Sequence, residues 1–147
     1  MSADGPRSGR HQLITGRLRD LLLGATAPSH IALESLPWEA HDGGPPLLPD
    51  VAVVTVVDVD LGPLRRPPAP LVEVLDPTEN PVDLLERCAL AGLQHLWTVD
   101  AATGDLTVYE RAGPGRVVCA VAQPGTSLRI REPFPLAVDP VLLTEPG

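Results

Sequence analysis

The chain has 147 residues, 44% of them hydrophobic, enough for one buried core, so a single domain is expected over residues 10 to 147. A net charge of −8 opposes long-range attraction to nucleic acid, and a nucleic-acid partner has to be met by a local arginine patch or through a metal. All 11 basic residues are arginine and none is lysine, in keeping with a composition rich in Pro, Ala, Val, Leu and Arg that also fits GC-rich codon usage.

Residues 1 to 9 are small, polar and proline-containing, and are expected to be disordered. They hold no apolar run that would make a signal peptide, and no later segment approaches a membrane span, so a cytoplasmic protein with no membrane partner is expected. Between His11 and Leu23, Ile14, Leu18, Leu21 and Leu22 recur at helical spacing, which predicts an amphipathic helix stopped by Gly24. His30 to Leu36 alternates as a strand, and the loop from Pro37 to Leu48 carries the turn signal Gly43-Gly44-Pro45-Pro46. The β-branched run Asp50 to Val57 predicts a strand covered on both faces. A proline-rich connection follows from Gly62 to Pro70, with the doublet Arg65-Arg66 read as solvated loop charge.

Leu71 to Leu75 repeats the buried-strand pattern and ends at Asp76-Pro77. Pro81 to Ala91 reads as a helix with Asn80 as its N-cap, Pro81 at the first helical position and Gly92 beyond its end. The strand His95 to Asp100 comes next, and Leu106 to Arg111 pairs with Arg116 to Ala122 as a hairpin across Gly113-Pro114-Gly115. In the proline-rich tail, Phe134, Leu136 and Val138 are placed to close one edge of the core. The order predicts an α/β fold, a mixed sheet with helices packed against it.

Two of these strands carry a carboxylate among apolar residues, Asp50 in Pro49-Asp50-Val51-Ala52 and Glu73 in Leu71-Val72-Glu73-Val74-Leu75. An ionised carboxylate in such surroundings must be paired, hydrogen-bonded, protonated or bound to a cation. Should the two strands be neighbours, about 5 Å apart, both acids reach one hard ion, magnesium or manganese, and the chemistry served is phosphodiester hydrolysis. The structural alternatives are that Asp50 caps a strand after a proline and that Glu73 pairs with an arginine such as Arg10 or Arg17. Glu34 is a candidate third acidic ligand, although an exposed strand glutamate is the simpler reading. Asp83 and Glu86 read as solvated, Trp97 as core. Cys88 and Cys119 stand far apart with no CxxC or Cys/His cluster, which argues against zinc and for reduced thiols.

The stretches Pro49 to Val54, Pro70 to Thr78 and Ala91 to Asp100, with Arg10-His11-Gln12-Leu13-Ile14 before them and Pro133 to Asp139 after, resemble the Uma-two family of restriction endonucleases within the PD-(D/E)XK nuclease superfamily. The resemblance implies a restriction-endonuclease-like fold and a magnesium-dependent DNA endonuclease. It makes Asp50 and Glu73 the metal-binding carboxylates, with the Val74 carbonyl completing the site and His11 facing the pocket. The family carries a lysine on the helix after the glutamate strand; here the matching position is Leu84 counted back from Gly92, or Arg87 counted forward from Asp83. Arginine keeps the charge but does not give up a proton, and leucine removes the function. Family members begin with an extra helix and hairpin holding a Tyr-Glu-Leu-type segment, and this chain is expected to start after it. A sheet edge left uncovered for that reason would suit a homodimer. The rival reading is a catalytically inactive nuclease fold used as a binding or assembly module.

Overall fold

A computed structural model of the chain describes residues 8 to 40 and 46 to 145. The expected disorder of residues 1 to 7 and the glycine-proline turn at 43 to 45 lie outside those residues. Helix α1 (Gly9–Ala25) starts where Ser8 accepts the His11 backbone N–H on its side chain at 3.1 Å, one residue before order was expected. It buries His11, Ile14, Thr15, Leu18 and Leu22, one stripe at helical spacing. Gly24 does not stop it: the helix runs on to Ala25, and the Thr26 N–H closes onto the Leu22 carbonyl.

Six strands form the main sheet in chain order: β1 (His30–Glu34), β2 (Val51–Thr55), β3 (Leu71–Leu75), β4 (His95–Asp100), β5 (Leu106–Gly113) and β6 (Arg116–Ala122). All neighbours are antiparallel except β3 and β4, which run parallel because helix α2 (Pro81–Leu90) crosses between them. Asn80 caps α2 as expected, its side-chain oxygen accepting from the Val82 N–H at 2.9 Å. Two strands are shorter than the sequence suggests. β1 ends at Glu34 because Ser35 turns into a left-handed conformation, with φ of 55°. β2 ends at Thr55, opposite His30, the first residue of β1; Val56 to Asp58 then form a 3₁₀ turn with Val57 90% exposed.

The sheet has a core on each face. Side chains of Val51 and Val53, Val72 and Val74, and Trp97 and Val99 pack against α1. Those of Ala52 and Val54, Leu71 and Leu75, and Leu96 pack with Leu84 and Cys88 of α2. The tail forms a separate two-stranded sheet of β7 (Leu128–Ile130) and β8 (Leu136–Val138), followed by a short helix α3 (Val141–Thr144). Phe134 from this tail lies 6.3 Å from the Trp97 ring, on the α1 side of the core. No helix among the described residues is long and apolar enough to cross a membrane.

Candidate active site

Antiparallel pairing of β2 with β3 stops at Val51 opposite Val72, and side chains take over from backbone one residue further on. The Asp50 N–H donates to Glu73 Oε1 at 3.3 Å, and the Val74 N–H donates to Asp50 Oδ2 at 2.8 Å. Each acid thus satisfies a buried backbone donor of the other strand, which an apolar residue at either position would leave without a partner. Pro49, just before Asp50, supplies no backbone donor of its own.

His11, buried to 2% exposure at the start of α1, reaches the same point from the other layer. Its Nε2 lies 3.1 Å from the Val74 carbonyl oxygen and 3.2 Å from Asp50 Oδ2. Both partners accept, so Nε2 carries a proton, and Nδ1 lies 3.4 Å from the Thr15 hydroxyl. Glu73, fully buried at the centre of β3, points to the α2 face between Leu71 and Leu75. Burial, followed by the nearby Glu73 charge, pushes the Cys88 thiol up to about 12. Thr98, directly across the parallel ladder from Glu73, is buried beside it. The buried polar residues among those described are His11, Thr15, Asp50, Glu73 and Thr98, and all five belong to this one locus.

The structure therefore brings together Asp50, Glu73, Val74 and His11, while Arg87 makes no hydrogen bond or ion pair with any of them. Arg87 is exposed on the last turn of α2 and makes no hydrogen bond or ion pair with the described residues. Leu84, the other candidate for the family's lysine position, is buried in the α2-side core with Leu71 and Leu75. The arginines proposed as Glu73 partners go elsewhere: Arg10 donates to the Ala101 carbonyl, and Arg17 to the Leu142 and Glu145 carbonyls. Glu34 is exposed and paired with Arg19 at 2.6 Å, which removes it as a third ligand. Thr15 and Thr98 went unnoticed in the sequence. Thr15 stands at i+4 from His11, a signal that was available; Thr98 meets Glu73 only through the β3–β4 register.

Asp50, Glu73 and the Val74 carbonyl make an all-oxygen donor set, which suits a hard divalent ion. Among the described residues no group of three or more His, Cys, Asp or Glu side chains is arranged to hold a metal, so the carbonyl and solvent would have to complete such a sphere.

A six-stranded mixed sheet between helices thus carries two acids laced across adjacent strands. Among solved structures, a protein titled a putative nuclease belonging to DUF820 from Anabaena variabilis superposes with a TM-score of 0.71 at 17% identity, covering 95% of this chain and 83% of that one. Residues 2 to 143 match the family model Uma2, described as "Putative restriction endonuclease", and the chain belongs to that family. A comparison with curated proteins finds no match.

Proposed function

We propose that this chain is a divalent-metal-dependent DNA endonuclease that hydrolyses phosphodiester bonds at Asp50 and Glu73. The observation that carries the reading is the concentration of buried polar groups at one point of an otherwise apolar sheet. Burying two carboxylates is costly even when each accepts a backbone N–H, so their placement in an apolar sheet calls for a gain beyond those two hydrogen bonds. Asp50, Glu73 and the Val74 carbonyl would hold magnesium or manganese. Such an ion, when bound, supplies positive charge at the scissile phosphate and a water of lowered pKa.

The protein's own contributions follow from its contacts. The Val74 N–H fixes Asp50, the Asp50 N–H fixes Glu73, and His11 holds the Val74 carbonyl and Asp50 in one orientation. Arg87, exposed on α2, is the cation available to meet a phosphate oxygen in place of a lysine, and it can stabilise charge without donating a proton. Activity is attenuated accordingly. The net charge of −8 makes DNA binding dependent on the bound ion and low salt. Free thiols at Cys88 and Cys119 support a reducing cytoplasmic setting.

A second reading, an inactive nuclease fold serving as a binding module, is favoured by one observation. His11 Nε2 already sits against both the Asp50 and Val74 oxygens, the side a cation would use. Calorimetric titration of manganese into wild type, Asp50→Asn and Glu73→Gln separates the two. The enzyme reading expects binding that each substitution weakens at least tenfold; absence of binding to the folded wild type favours the module.

A further inference from the structure

We propose that β6 is a self-association edge, through which two copies of this chain pair antiparallel about Cys119 to make one continuous sheet. β6 ends the strand order, hydrogen-bonded to β5 on one side and to no described strand on the other. Six of its seven residues are exposed, with Val117 at 50%, Val118 at 47% and Val121 at 59%. Soluble proteins protect such an edge with lysine, proline, inward charges or a short strand. From Val117 to Ala122 there is none of these. The opposite edge is protected: β1 has five residues and carries the Arg19–Glu34 ion pair.

The occupant is a second copy because the strand complements itself. Antiparallel pairing centred on Cys119 sets Val117 against the partner's Val121 and Val118 against the partner's Ala120, so β-branched and small apolar residues meet on both faces. Arg116 falls opposite the partner's Ala122, and no two arginines oppose one another. Charge is complementary across the same two-fold. The Arg116 end of β6 shares a cleft with Arg111, Leu85 and Tyr109, whereas the Val121 end lines one with Asp76, Glu79, Asp100 and Asp105. Antiparallel pairing brings the basic end of each copy to the acidic end of the other. A seven-residue strand falls short of the roughly 800 Å² per partner typical of stable interfaces, and apolar residues beside β6 on both faces, Leu85 and Leu93 on one and Val108 and Leu128 on the other, extend it.

The test is sedimentation velocity on the full chain at tens of micromolar, with a short bismaleimide cross-linker applied to the same samples. The expected result is a species of twice 15.5 kDa, cross-linked through Cys119 and not in Cys119→Ala. Cys88 is buried and does not compete. Val118→Lys, on an exposed position, should yield a monomer with an unchanged circular dichroism spectrum, and Arg116→Glu should raise the dimer dissociation constant at least tenfold. A wild-type monomer at 100-fold range of concentration, or a dimer that neither Cys119 cross-linking nor Arg116→Glu touches, overturns the proposal. Should Val118→Lys fail to fold, the wild-type cross-link and Arg116→Glu decide it.

Discussion

Replacing Asp50 by alanine and by asparagine separates what its carboxylate does for the fold from what it does for chemistry. In the alanine variant the buried Val74 N–H, held now at 2.8 Å, loses its acceptor, and His11 Nε2 keeps only the Val74 carbonyl. A hydrogen bond to a charged group contributes about 1.5–3 kcal/mol, and a buried donor left without a partner costs about as much, so Asp50→Ala should destabilise by roughly 2–3 kcal/mol. Asparagine retains a carbonyl oxygen in the same place and loses only the charge, for a cost of about 1 kcal/mol. At about 2–4 °C per kcal/mol for a chain of this size, the alanine variant should melt roughly 5–10 °C below wild type and the asparagine variant roughly 2–4 °C below. Differential scanning calorimetry at pH 7.5 measures both. Equal melting of the two variants, or an alanine variant within 1 °C of wild type, would refute the assignment of Asp50 as the acceptor that closes β2 onto β3.

Arg87→Ala should leave the melting temperature unchanged, because the side chain is exposed and without a described partner, yet lower DNA cleavage by roughly 10-fold to 100-fold, the worth of one charged hydrogen bond; unaltered cleavage would remove Arg87 from the site. Iodoacetamide at pH 8 should label Cys119 alone in the folded protein and both cysteines in urea, since burial and the Glu73 charge hold the Cys88 thiol at about 12. Fast labelling of Cys88 in the native state would contradict its packing. Burial lowers the His95 pKa from 6.5, against an opposing pull from Glu110 and Glu132. The folded protein thus binds this proton less readily than the unfolded chain: stability from neutral His95 is complete above about pH 6.5 and declines as pH falls below it. His95→Gln should flatten the melting temperature between pH 7 and 5, and an unchanged slope would show that other groups dominate.

The elements readable from sequence were those set by local chemistry. Asn80-Pro81 fixes the start of α2, Gly113 and Gly115 adopt the positive φ that the β5–β6 turn requires, and the apolar run of β3 is buried throughout. Strand ends were less legible, because a β-branched run such as Val51 to Val57 does not say where its partner stops. β2 ends where β1 runs out at His30, which is a property of the pair. The same limit applied at the site. That Asp50 and Glu73 needed partners followed from their surroundings, but those partners include backbone N–H groups of the opposite strand and, for Asp50, His11, far away in sequence. Arg10 and Arg17 were plausible by charge and are drawn to the carbonyls of Ala101, Leu142 and Glu145 instead. The three-residue strand β7 and the helix α3 carry too little periodicity to be read, and β8 was reached only through Leu136 and Val138 as core-closing residues in a segment that resembles the family.

Plasmid nicking in low salt with magnesium or manganese, comparing wild type with Asp50→Asn and Glu73→Gln, tests the central claim most directly. Metal-dependent conversion of supercoiled to nicked DNA by wild type, lost in both folded variants and abolished by EDTA, is the expected result. Cleavage that survives both substitutions, or a folded wild type that binds neither metal nor DNA and cuts nothing, would contradict it.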